Sequence, residues 1–169
     1  MRKDFLTDDG HSDDDETDFV ERYWTAKWDE MGGPSGSIAN IPRKSEYKVM
    51  APYLANLPKG ARVLDGGCGL GDWTIHFTEQ GWPTLGLDIS RKTIAALNTH
   101  FPEQEFQIGD IRATGQPDAS FDAYFSWGTF EHFEAGLNRC IEEAFLSSQP
   151  GGPPFISAPP HNPPPTPPA

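Results

Sequence analysis

The sequence predicts an α/β fold with a mostly parallel sheet flanked by helices, and three observations carry that prediction. Val63-Leu64 reads as the end of a short buried strand, and a glycine-rich turn, Gly66-Gly67-Cys68-Gly69-Leu70-Gly71, joins it to an apolar-periodic run that starts at Trp73. A second apolar run over residues 83–87 ends on Asp88, about 20 residues after the turn, the offset at which an acidic residue meets a nucleoside in open α/β sheets. Strand-like and helix-like runs then alternate along the chain, the pattern of parallel βαβ units.

The totals set limits on this reading. A length of 169 residues suits one domain with a real core. No run approaches the ~20 apolar residues that cross a bilayer. The acidic start lacks the basic-then-apolar order of a signal peptide, so a cytoplasmic protein is expected. Cys68 and Cys140 have neither pairing nor metal spacing and read as reduced thiols, with no metal site. Residues 1–18 hold two basic and eight acidic side chains, which is half of the net charge of −12. Neither half offers a basic footprint, so neither nucleic acid nor a membrane is an expected partner.

Residues 1–18, with the block Asp13-Asp14-Asp15-Glu16, read as a disordered acidic tail, and 19–152 as the folded domain. Phe19, Val20, Tyr23, Trp24, Trp28 and Met31 recur at helical spacing, with Asp18 as a candidate cap and Gly32-Gly33-Pro34 as the stop. This N-terminal helical extension is either a helix docked by its aromatic face or a lid over a cleft. A loop over 35–42 leads to a helix over 45–57 that Pro52 kinks or divides, and Pro58-Lys59-Gly60 turns the chain into the first strand. Helices are expected over 72–80 and 91–100, ended by Gly81 and Pro102, with Ser90 capping the second. Short strands follow at 106–108 and 121–126, and a helix opens near Thr129 and reaches about Leu146.

The chemistry concentrates where strands end. Glycines at 67, 69 and 71 allow positive φ and a close approach of ligand to backbone, and the following helix aims free N–H groups at the same place. A dinucleotide fingerprint is G-x-G-x-x-G, but here the third glycine comes one residue early. Asp88 at a strand end can accept from two ribose hydroxyls, which points to a nucleoside without choosing which one.

The run Asp65-x-Gly67-x-Gly69-x-Gly71 resembles motif I of the class I S-adenosylmethionine-dependent methyltransferases, and Phe121-Asp122 resembles the start of their motif IV. The resemblance covers roughly residues 46–152 and implies a Rossmann-like sheet with S-adenosylmethionine as cofactor and a small-molecule methyl acceptor as partner. It implies that Gly67, Gly69 and Gly71, with Cys68 between them, cradle the methionine and ribose portions, and that Asp65 orients the amino group. Asp88 with Ile89 would take the ribose, and Asp110 with the N–H of Ile111 the adenine. Ser126 and Trp127 would line the methyl end. His132 is either the base that accepts a proton from the nucleophile or a packing residue. Two rivals stay open, a module that binds the cofactor without turnover and a nicotinamide-dependent oxidoreductase.

The resemblance breaks after Gly151-Gly152. Pro153-Pro154-Phe155-Ile156-Ser157 reads as a poor central strand, because proline donates nothing to a ladder. Residues 153–169 are therefore expected to form a disordered proline-rich tail, and the C-terminal part of the fold to be incomplete through truncation.

Overall fold

A computed structural model describes residues 13–133, 137–152 and 154–157. Five helices and five strands are described: α1 (Asp13–Glu30), α2 (Ser45–Leu54), β1 (Val63–Gly66), α3 (Asp72–Glu79), β2 (Thr84–Asp88), α4 (Arg91–His100), β3 (Glu105–Ile108), β4 (Ala123–Trp127), α5 (Asn138–Ser147) and β5 (Pro154–Ser157). The strands form one sheet in the order β3-β2-β1-β4-β5, and every pairing is parallel. The order reverses direction at β1, between β2 and β4, and clefts in open α/β sheets form at that switch point beyond the strand C-termini.

Both faces of the sheet are covered, so its central strands are buried on both sides and show no alternation of buried and exposed positions. Leu64, Leu85, Leu87 and Tyr124 face a core shared with Val20 of α1 and with Cys140 and Ala144 of α5. Val63, Ala123 and Phe125 face the opposite core, filled by Met50 and Leu54 of α2 and by Trp73 and Phe77 of α3. A third cluster joins Cys68 to Ile75, to Ile94 and Leu97 of α4, and to Phe106 of β3.

Several expected boundaries hold. Gly32 and Gly33 end α1 in a left-handed turn, with Gly33 N–H bonded to Trp28 O and Gly32 N–H to Asp29 O, both at 3.0 Å. Gly81 ends α3 in the same way at φ 94°, and Ser90 caps α4 by accepting from Thr93 N–H.

Four expectations change. First, α1 begins at Asp13 and not at Phe19, so Asp18 lies inside it and caps nothing. Second, α2 passes through Pro52 undivided and stops at Leu54, and a 3-10 turn (Ile38–Arg43) lies partly within the expected loop. Third, the helix expected from Thr129 starts only as a short 3-10 turn (Phe130–His132), and the α-helix begins at Asn138. Fourth, β5 forms. Pro154 is its first residue and β5 lies at the sheet edge, the two circumstances in which a strand tolerates proline. The proposed tail beyond it, residues 158–169, lies outside the described residues.

Candidate active site

The site is built from the C-terminal ends of β1, β2 and β4 and the loop after β3. Leaving β1, Gly67 (φ 79°), Gly69 (φ 52°) and Gly71 (φ 80°) all adopt the left-handed region. A Cβ on Gly67 would lie 2.4 Å from Thr129 Oγ1, and one on Gly69 would lie 2.8 Å from Trp28 Cζ2. The loop is therefore glycine for space as well as for backbone angle. It is pinned to the end of β2, because Gly67 N–H and Cys68 N–H both donate to Leu87 O, at 2.7 and 2.9 Å.

Asp65 is buried at the end of β1 and accepts from Thr74 Oγ1 at 2.7 Å. Loss of hydration, helped by the neighbouring Asp88 charge, pushes its carboxyl up to about 7 against the opposing bond from Thr74. Asp88, also buried, accepts from Gly69 N–H at 2.8 Å through Oδ2 and from Ser90 N–H at 2.9 Å through Oδ1. Burial raises its carboxyl, and those backbone bonds oppose the rise. Ser90 caps α4, and Asp88 is nonetheless engaged, with backbone N–H groups on both of its oxygens. A carboxylate has four lone-pair sites, so capacity remains for a ribose hydroxyl. Cys68 is a buried thiol raised well above its ordinary range, mainly by desolvation, so it packs rather than reacts.

After β3, Asp110 is held by the residue two places on. Arg112 N–H donates to Asp110 Oδ1 at 2.8 Å, and its guanidinium bonds both carboxylate oxygens. Asp88, Ile89, Gly109, Asp110 and Ile111 come together on one cavity with Gly67, Trp127 and His132. Asp65, Gly67, Cys68 and Gly69 line an adjoining cavity of about 250 Å³, with Trp28, Lys44, Asp72 and Trp127. Trp127 belongs to both, so the two cavities meet at the end of β4. Ser126 does not line either. It is fully buried within β4, and its hydroxyl has no partner. Gly71 sits one step deeper, where a Cβ would meet Leu97 and Phe106, so it shapes the loop without lining it.

His132 reaches the first cavity, but its Nε2 lies 2.9 Å from Gly128 O. A carbonyl only accepts, so Nε2 carries the proton and Nδ1 is the nitrogen left to act as a base. The ring also meets Trp24 edge-on at 4.8 Å. Sequence reading did not single out Arg112, Lys44, Thr129 or Phe133. Trp24 and Trp28 belong to the aromatic stripe expected either to dock α1 or to roof a cleft, and both line the first cavity.

A glycine loop, a ribose-ready acid and a second acid after the next strand gather on one edge of a parallel sheet. A family model described as a methyltransferase domain matches residues 63–152, more than half of the chain. The chain belongs to this methyltransferase domain family. It is 27% identical over 113 residues to a probable S-adenosylmethionine-dependent methyltransferase of Mycolicibacterium smegmatis, covering 67% of this chain and 44% of that protein. It is 33% identical over 92 residues to the demethylmenaquinone methyltransferase of Bacillus licheniformis, covering 51% and 40%. The crystal structure of an S-adenosylmethionine-dependent methyltransferase from Mesorhizobium loti superposes with a TM-score of 0.55 at 30% identity, over 64% of this chain and 52% of that one. The chain thus spans less than half the length of these curated relatives.

Proposed function

We propose that the chain binds S-adenosylmethionine and transfers its methyl group to a small-molecule acceptor. The observation that carries this reading is the glycine loop locked against the end of β2, so that the loop and Asp88 present one rigid surface to a nucleoside. Gly67 and Gly69 hold the methionine and ribose portions, Asp65 meets the ammonium, Asp88 the ribose and Asp110 with Ile111 the adenine. Two relatives named for this chemistry support it.

Bound there, the cofactor supplies a methyl group already activated on a cationic sulfur. The work left to the chain is placement in a water-poor pocket. Trp127 closes the methyl end with an aromatic wall, and aromatic faces also favour a nearby cation. A protonated nucleophile needs a base, and Nδ1 of His132 is the assigned group. The acceptor is read as a small molecule in the cytoplasm: the acidic chain disfavours nucleic acid, Cys68 and Cys140 are free thiols, and no described helix is long and apolar enough to cross a membrane.

Calorimetry with S-adenosylmethionine, S-adenosylhomocysteine and NAD tests this reading, with Asp88→Asn and Asp88→Ala as variants checked for folding by circular dichroism. Micromolar binding of the two adenosyl ligands is expected, weakened at least tenfold in both variants. A folded protein that prefers NAD, or ignores all three, overturns it. Release of S-adenosylhomocysteine on addition of mixed small-molecule acceptors separates turnover from binding alone.

A further inference from the structure

We propose that Arg112 is a positioning residue that ties admission of the cofactor's adenine to the release of helix α1. This rests on the cofactor reading above.

The Arg112 side chain is only 5% exposed and bridges two structures. On one side it fills Asp110. Oδ1 accepts from Arg112 N–H and Nε, at 2.8 and 3.1 Å, and Oδ2 accepts from Nε and Nη2, at 3.1 and 2.7 Å. A carboxylate oxygen has two lone-pair sites, and all four are engaged. An adenine amine that donates to Asp110 must displace a guanidinium donor.

On the other side the same guanidinium holds α1. Nη1 donates to Glu16 Oε2, and Nη2 donates to Thr17 Oγ1 at 2.6 Å. From there α1 runs across the cleft to the start of α4, where Thr25 Oγ1 meets Ser90 Oγ at 2.6 Å and Asp29 pairs with Lys92. Val20, Trp24 and Trp28 line the cavity from above and leave about 60 Å³. Pockets for ligands of this size run from roughly 300 Å³ upward, which the two joined cavities reach only together, and the share beneath α1 is much the smaller. The nucleoside end of the ligand is therefore the part that α1 confines.

The anchors of α1 differ in kind. The pairs at its far end, Asp29 with Lys92 and Glu21 with Arg91, are mostly exposed and screened by water. Among the described residues, the ion pairs of Arg112 are the buried ones. The buried grip on α1 and the adenine acceptor thus share one guanidinium. A ligand amine that takes Asp110 loosens the hand that also holds Glu16. In the latched state the apparent affinity is reduced by the fraction of time the helix is lifted.

Stopped-flow binding of S-adenosylhomocysteine tests the coupling in wild type, in the double variant Glu16→Gln/Thr17→Val, and in Glu21→Gln. The double variant breaks the grip from the α1 side and leaves Arg112 still neutralised by Asp110, which protects the fold. Its association rate should rise about fivefold or more, with a tighter Kd and a small change in dissociation. Glu21→Gln, on the exposed rim, should bind as wild type does. Amide hydrogen exchange should show α1 loosened in the double variant without ligand, and in wild type at saturating ligand, with β1 and β4 unchanged. Wild-type protein that binds while the double variant keeps the wild-type rate overturns the coupling and leaves the cofactor reading standing. An equal acceleration in Glu21→Gln overturns the role of Arg112. A folded wild type that binds no S-adenosylhomocysteine sinks the cofactor reading, and the coupling with it.

Discussion

Gly67 shows how much one residue carries. Its φ of 79° lies in the left-handed region, and a Cβ there would strike the Thr129 side chain. Gly67→Ala should therefore destabilise the protein by about 1–2 kcal/mol through the backbone conformation alone. It should also weaken S-adenosylhomocysteine binding by tenfold or more, because Thr129 has to move at the cleft wall. Denaturant unfolding and calorimetry on the same sample read the two effects separately. Gly67 and Asp88 were legible in the sequence because each is dictated by its neighbours, a strand end and a turn. Arg112 was not. Its partners Asp110 and Glu16 lie two and 96 positions away, and no local pattern announces a pair that distant. Ser126 was placed by position in its strand, but alternation sends it to the face opposite Trp127, where it is fully buried.

At the scale of elements, α4 is the hinge post of the cleft. Ser90 caps it, its N–H bonds Asp88, and its hydroxyl meets Thr25 of α1. Ser90→Ala should cost about 1 kcal/mol for the cap. It should also loosen α1, visible as faster amide exchange in Thr25 and its neighbours, while Asp88 keeps its backbone bond from residue 90. Elements were legible where their signals were local: the glycine stops of α1 and α3 and the cap of α4 all hold. They were misread where a tertiary position overrides composition. A run of like charges reads as a solvated tail, yet Asp13–Glu30 is one helix whose Glu16 is held by a buried arginine. A proline-rich run reads as no strand, yet at a sheet edge β5 needs partners on one side only.

The whole molecule carries a pH dependence set by buried acids. With its carboxyl raised to about 7, Asp65 in the folded chain keeps its proton between about pH 4 and pH 7, while the unfolded chain loses it. Stability should therefore fall as pH rises through that window, and the raised carboxyl of Asp88 adds to the same trend. Asp65→Asn should flatten the slope, measured by urea unfolding at about pH 5 and pH 8. Ligand binding should run the opposite way. An ammonium facing Asp65 favours the carboxylate, so affinity for S-adenosylhomocysteine should rise from about pH 6 to pH 8, and lose that rise in Asp65→Asn.

The all-parallel sheet has a further consequence, for the order in which the molecule assembles. No two of its strands are joined by a hairpin, so each pairing waits for a crossover to be made and packed. Pairings of this kind are slow to form, and a chain emerging from the ribosome meets them from its N-terminus onward. Helix α1 is made before the sheet, but Glu16 has to wait 96 residues for Arg112. By then β1, β2 and β3 have been synthesised, with the glycine loop and Asp88 among them. When Arg112 is made, β4 and Trp127 are still to come, so the grip on Glu16 is available before the chain has supplied the cleft wall that β4 provides.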